Sequence, residues 1–240
     1  MSKRPVTSAI ILAGGLGTRL RSAVPDLPKP MAPVAGRPFL AYQLDYWIAQ
    51  GIERFVLSVG YRHESILAHF GAQHRGVPLQ YAVEKAPLGT GGGLLLALDL
   101  LPGEQQPLLL LNGDTYFEVS LATLHEFHVR RQSDWTFSLF RSSEAGRYMG
   151  MGVDDQGRIT ALKSASAEPG RLANGGVYLV DPRVLRAGPW TVGEKLSLED
   201  DILPVAFESG RRLYGFECAG AFIDIGIPAD YQRAAGLLAA

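Results

Sequence analysis

The chain has 240 residues, 47% of them hydrophobic and 20% charged, and its formal net charge is -1. That balance allows a sizeable core and lacks the basic excess that nucleic acid demands, so no nucleic-acid partner is expected. One cysteine, Cys218, cannot form an internal disulfide or a thiolate zinc site, and no apolar run nears the roughly 20 residues of a membrane span. In chain order, Thr7–Leu12 reads as a buried strand and Ala13–Leu20 as a glycine-rich turn with a cation near its end. Phe55–Val59, Leu79–Val83 and Leu108–Leu111 are further near-continuous apolar runs, and Phe39–Gln50, Glu64–Phe70 and Thr90–Leu101 between them carry helical patterns. Strand–helix alternation of this kind predicts an α/β fold with a mixed, mainly parallel sheet flanked by helices. After Asn112-Gly113-Asp114 the pattern changes. Leu121–Arg131 reads as a helix, and Trp135–Phe140, Gly150–Val153, Arg158–Lys163 and Asn174–Val180 read as strands. Asp154-Asp155-Gln156-Gly157 is a hairpin-type turn, and Pro228–Leu238 is a helix opened by proline. No repeat or linker divides the chain, so one domain is predicted over residues 1–240, with a first half over 1–118 and a substrate-facing half over 119–240. Lys3 and Arg4 are not followed by a secretory apolar run, and a cytoplasmic location is the expectation.

The turn after the first strand suits phosphate, because backbone N–H groups reach an anion closely only where side chains are missing. Gly14, Gly15 and Gly17 supply that loop, Arg19 ends it, and Lys29 follows in Pro28-Lys29-Pro30-Met31. Two familiar phosphate motifs fail on detail. A P-loop needs lysine after its last glycine, where this chain has Thr18 and Arg19. A dinucleotide fingerprint needs a third glycine where Leu20 stands, and an acid ending the next strand, where Val59 runs into Gly60 and Tyr61.

Leu12–Leu20, Pro28–Met31, Val59-Gly60-Tyr61, Glu84–Thr90, Asn112-Gly113-Asp114, Asn174-Gly175-Gly176 and Phe222–Gly226, in that order, resemble the signature of the sugar-1-phosphate nucleotidylyltransferases across essentially the whole chain. Pro87–Gly92 and Ser197–Asp201 look most like the guanylyltransferases acting on D-glycero-α-D-manno-heptose 1-phosphate, with the mannose-1-phosphate type next. The resemblance implies a Rossmann-like nucleotidyltransferase fold of the GT-A kind. It implies guanylyl transfer from GTP to a sugar 1-phosphate with release of pyrophosphate, serving surface polysaccharide synthesis, with Mg²⁺ as cofactor and homodimers common among relatives. Uridylyl or thymidylyl transfer and a non-catalytic nucleotide-sensing subunit stand as alternatives. A retaining glycosyltransferase fits less well, because Asp114 is followed by Thr115, Tyr116 and Phe117 rather than by a second carboxylate.

Such a reaction needs charge stabilisation more than a base, since its nucleophile is already an anion. Backbone around Leu12, Ala13, Gly14, Gly15, Gly17 and Thr18 would cradle the triphosphate, and Arg19 offers it a fork of donors. Lys29 is a point charge suited to the α-phosphate. Asp114, with Asn112 and Gly113, sits at the carboxyl end of a strand, where open α/β sheets bind ligands. Its other reading is an ordinary turn aspartate, and that of Asp224 a helix-capping one. Mg²⁺ commonly takes one or two carboxylates beside phosphate and water, and Asp114 and Asp224 fall on the metal positions that the resemblance implies. Glu84 can accept both N1–H and the 2-amino group of guanine, with Gly89 and Thr90 beside it; as a surface residue it would pair with Lys85 instead. The resemblance puts sugar phosphate near Gly150, Lys163, Asn174, Gly175 and Glu199. Glu199 reads equally as a first-turn helix acid. Lys163 stands in Leu162-Lys163-Ser164, where relatives often carry a Glu-Lys pair, and Tyr148-Met149-Gly150 departs from their usual Tyr-Gly. The histidines show no ligand clustering, although His125 and His128 share a helical face.

Overall fold

The computed structural model describes residues 5–15, 17, 20, 24–142, 148, 150–164 and 170–239. Its order is β1 (Ser8–Leu12), β2 (Pro33–Val34), β3 (Arg37–Pro38), α1 (Phe39–Ala49), β4 (Arg54–Val59), α2 (His63–Phe70), β5 (Gln73–His74), β6 (Val77–Val83), α3 (Gly89–Asp99), β7 (Leu108–Asn112) and β8 (Thr115–Phe117). There follow α4 (Leu121–Arg130), β9 (Trp135–Ser142), β10 (Gly150–Val153), β11 (Ile159–Ser164), β12 (Arg171–Val180), α5 (Pro182–Arg186), α6 (Leu203–Glu208), β13 (Leu213–Glu217), β14 (Phe222–Asp224) and α7 (Pro228–Leu238).

The apolar runs became the centre of a mixed sheet. Among the described residues it is ordered β11-β10-β12-β7-β1-β4-β6-β5, and β9 joins β12 to β13. β1, β4, β6 and β7 run parallel, whereas β12 enters antiparallel to β7. Strand pleating sends alternate residues to opposite faces. Ala9 and Ile11 of β1 therefore join one core, with Leu40, Leu44 and Trp47 of α1, while Ile10 joins another, with Leu94 and Leu98 of α3. Both faces being apolar and covered is why these strands read as continuous runs rather than alternating ones.

Predicted helices and strands are observed with ends shifted by a residue or two, except that the strand predicted at Asn174 starts at Arg171. That strand is bulged. Asn174 pairs with Leu139 and Tyr178 with Phe137, so three residues of β12 stand against one of β9. Gly176 sits in the bulge at φ +70°, a conformation that glycine adopts without strain. Among the described residues no helix is long and apolar enough to cross a membrane.

Candidate active site

The carboxyl ends of β1, β4, β6 and β7 open into a cleft of about 610 Å³. Leu12, Ala13, Gly14, Gly15, Gly17, Lys29, Glu84, Gly89, Thr90, Asn112, Gly113, Asp114 and Glu199 all line it, so most of the sequence-predicted site gathers in one place. Thr18 and Arg19 lie outside the described residues.

Glycine is required in this cleft for close approach. A Cβ on Gly113 would stand 2.5 Å from the Leu12 carbonyl oxygen, and one on Gly14 would stand 2.4 Å from Glu84 Oε1. The missing side chains let β1, β7 and the segment after β6 converge on the same floor. Glu84 is half-buried, and it turns inward rather than pairing with Lys85. Its Oε2 accepts the Leu88 N–H at 2.9 Å and its Oε1 accepts the Ser58 hydroxyl at 3.3 Å. Leu88 also carries the end of the loop before α3, so the carboxylate is fixed by the chain that follows it.

Lys29 follows the first loop in a short 3₁₀ turn, and its Nζ donates to Asp114 Oδ2 at 2.7 Å. Asp114 is joined to Asp224 through backbone. β8 and β14 form an antiparallel ribbon in which Thr115 faces Asp224, and the Ile225 N–H donates to the Asp114 carbonyl at 2.9 Å. The position of a Cβ on Gly226 lies 2.7 Å from Asp224 Oδ1 and 3.2 Å from Lys29 Nζ. Lys29 thus stands near both Asp114, which lines the cleft, and Asp224, which lines the adjoining pocket with Ile223 and Asp230, although the two aspartates are about 110 residues apart in sequence. This donor set fits a hard divalent cation that completes its shell with phosphate and water. Among the described residues no group of three or more His, Cys, Asp or Glu side chains is placed to hold a metal ion.

Glu199 lies in the first turn of a π-helical segment, Leu198–Ile202, and it lines the cleft. Thr90 ties it in place, donating from Oγ1 to Glu199 Oε2 at 2.9 Å while accepting the Leu198 N–H at 2.8 Å. Lys195 lines the same cleft, and sequence reasoning missed it. Its place depends on the glycine run in α3. A Cβ on Gly89 would stand 2.5 Å from the Leu196 carbonyl oxygen, and one on Gly92 would stand 2.3 Å from that of Glu194. Those glycines seat the loop that brings Lys195 in, a contact over a hundred residues away that no local pattern announces.

The remaining predicted residues do not line this cleft. Lys163 Nζ pairs with exposed Asp200 at 2.5 Å. Gly150 packs against the Arg171 side chain, and Gly175 packs against the Phe117 ring. Asn174 stands beneath the floor, where its Nδ2 donates to the Tyr178 hydroxyl at 2.8 Å and its Oδ1 accepts the Gly176 N–H at 3.1 Å. Tyr178 is fully buried. Burial pushes its hydroxyl pKa well up, with the charge of Glu199 adding to the effect, so it stays a neutral structural hydroxyl. Cys218 is half-buried, and burial pushes its pKa up to about 12.

The profile of the nucleotidyl transferase family matches residues 8–240. The chain is 41% identical over 226 residues to the D-glycero-α-D-manno-heptose 1-phosphate guanylyltransferase of Aneurinibacillus thermoaerophilus, covering 94% of this chain and 96% of that one. It is 33% identical to the mannose-1-phosphate guanylyltransferase of Mycobacterium tuberculosis, of whose length it spans 62% and with which 94% of this chain aligns. Among solved structures, HddC from Yersinia pseudotuberculosis complexed with GMP-PN superposes with a TM-score of 0.84 at 30% identity, covering 97% of this chain and 99% of HddC.

Proposed function

The chain belongs to the nucleotidyl transferase family, and from that premise we propose that it transfers a guanylyl group from GTP to D-glycero-α-D-manno-heptose 1-phosphate. The carrying observation is Glu84, an inward carboxylate at the end of β6 whose two oxygens match the adjacent N1–H and 2-amino donors of guanine. The heptose assignment rests on the 41% identity to a heptose 1-phosphate enzyme over nearly the whole of both chains.

In this reading a phosphate oxygen of the sugar 1-phosphate attacks the α-phosphorus of GTP. The bond from that phosphorus to the oxygen bridging to the β-phosphate breaks, and pyrophosphate leaves with the electron pair. No proton need move. The chain's work is to hold two anions together and to neutralise charge on the leaving group. Gly14, Gly15 and Gly17 offer backbone to the triphosphate, and the Arg19 guanidinium offers it a fork of donors. Lys29 shifts its ammonium from Asp114 toward the reacting phosphate. Lys195 supplies a second ammonium from the loop seated on α3. Asp114 and Asp224 would hold Mg²⁺, which when bound neutralises phosphate charge and aligns the reacting groups. Glu199 and Thr90 face the sugar hydroxyls, and Asn174 and Gly175 shape the floor beneath them. Residues 1–118 then form the nucleotide half of one domain and 119–240 the sugar-phosphate half.

A second reading, transfer to mannose 1-phosphate, has the 33% identity to a mannose-1-phosphate enzyme in its favour. A pyrophosphate-release assay crossing GTP, ATP, UTP and dTTP with heptose, mannose and glucose 1-phosphates separates the two. GTP with heptose 1-phosphate is expected to give the highest kcat/KM. Preference for mannose 1-phosphate moves the assignment to the second reading, and preference for UTP or dTTP defeats guanylyl transfer.

A further inference from the structure

Gln43 is 1% exposed and projects from α1 onto the back of the turn that carries Asp114. Its Nε2 donates to two carbonyls, Asn112 O at 2.8 Å and Thr115 O at 2.5 Å. Both partners are acceptors, so the amide nitrogen must face them and its orientation is determined. Its Oε1 is buried with no hydrogen-bond partner among the described residues. A side chain that leaves one polar atom unsatisfied in order to bind two turn carbonyls has little to offer as core filling.

The two carbonyls bracket Asp114. Asn112 ends β7 and Thr115 begins β8, so one NH₂ group sets the distance across the turn. Thr115 is also the ladder partner of Asp224, and the Asp114 carbonyl accepts the Ile225 N–H. A shift of Thr115 therefore moves both carboxylates. We infer that Gln43 is the positioning residue of the two-carboxylate cation site, setting the separation of Asp114 and Asp224 through the backbone of their shared ribbon. The inference rests on the reading of these two aspartates as metal ligands.

The same helix supplies a matched control. At its end, Gln50 Nε2 donates to Val119 O at 3.1 Å and its Oε1 accepts the Leu121 N–H at 2.7 Å. Gln50 thus also ties α1 to a neighbouring segment with two bonds, but at the start of α4, away from the carboxylates. The test titrates the intact chain with Mn²⁺ alone and follows the loss of the free-ion paramagnetic signal. Gln43→Met, which keeps the volume and removes the donors, is expected to weaken Mn²⁺ binding about tenfold, the scale typical of outer partners of metal ligands. Gln50→Met is expected to leave it unchanged. If Gln43→Met does not accumulate as folded protein, Gln43→Asn keeps the amide but withdraws it by one methylene and is read in the same way. Wild-type affinity in the Gln43 variant, or equal weakening in Gln50→Met, overturns the role of Gln43 alone. A wild-type chain that takes up no Mn²⁺ overturns the metal reading and the role together.

Discussion

A carboxylate facing guanine accepts two donors at once, whereas an amide accepts one and presents an N–H to the other. Glu84 is suited to a direct test because its contacts with the protein are defined, Oε2 accepting the Leu88 N–H and Oε1 the Ser58 hydroxyl. In Glu84→Gln the amide oxygen can still accept the Leu88 N–H, so the loop before α3 survives. The loss falls on nucleotide choice. A hydrogen bond to a charged group contributes roughly 1.5–3 kcal/mol, so kcat/KM for GTP is expected to fall by about 10- to 100-fold while that for UTP rises or holds. Steady-state kinetics with both nucleotides measures this, and an unchanged GTP-to-UTP ratio removes Glu84 from base recognition. Glu84 was legible in the sequence because chemistry at a strand end is a local signal. Lys195 was not, because nothing in Glu194-Lys195-Leu196 says that the segment folds back across α3. The pairing of Lys163 with Asp200 likewise depends on where β11 ends, which residue type alone does not reveal.

Elements show the same division. Strands covered on both faces announced themselves as apolar runs, and α1, α2 and α3 as the patterns between them. The ribbon of β8 and β14 did not, because three-residue strands are too short for any period to register. Glycines in α3 seat a loop, since a Cβ at Gly89 or Gly92 would meet the backbone of Leu196 or Glu194. This gives opposite expectations for two helical glycines. Alanine is favoured over glycine by about 1 kcal/mol within a helix. At Gly236 in α7 a Cβ would meet nothing within 4 Å, so Gly236→Ala is expected to stabilise by about 0.5–1 kcal/mol. At Gly92 it would meet the Glu194 carbonyl oxygen at 2.3 Å and Leu88 Cβ at 2.8 Å. Neither atom is the end of a flexible side chain, so Gly92→Ala is expected to destabilise by about 1–3 kcal/mol despite its better propensity. Urea denaturation of the two variants is the measurement, and a stabilised Gly92→Ala would show that the loop is not seated on α3.

At the scale of the whole molecule, most buried polar groups tie distant segments together, and their ionisation sets how the fold answers pH. Several carboxylates are held below their usual range. For Asp45, burial acts upward, but hydrogen bonds from Arg37 and His74 and the charge of Arg75 outweigh it. For Asp134, burial again acts upward, and Arg212 outweighs it through its side chain, backbone and charge. A carboxylate with a lowered pKa contributes stability above its unfolded value of about 4 and loses it only as the pH falls further. Above pH 4 the largest effect belongs to His128. It is fully buried between α4 and β9, its Nδ1 is 2.8 Å from Thr136 Oγ1, and its Nε2 has no partner among the described residues. Burial, reinforced by neighbouring His125, lowers its pKa from 6.5 to about 4. The unfolded chain therefore takes up this proton first on acidification. The His128 contribution is fully present above pH 6.5 and is lost as the pH falls from 6.5 to 4, by about 3 kcal/mol in all. For a chain of this size that is a fall in Tm of roughly 6–12 °C across the interval. Calorimetry of the wild type and of His128→Phe, which cannot titrate, reads the difference as a change in slope rather than in absolute stability. The variant is expected to lose most of the fall in Tm between pH 6.5 and 4.5, keeping the part owed to His125, whose pKa burial also lowers. Parallel slopes in the two proteins would mean that His128 ionises in the folded state without cost.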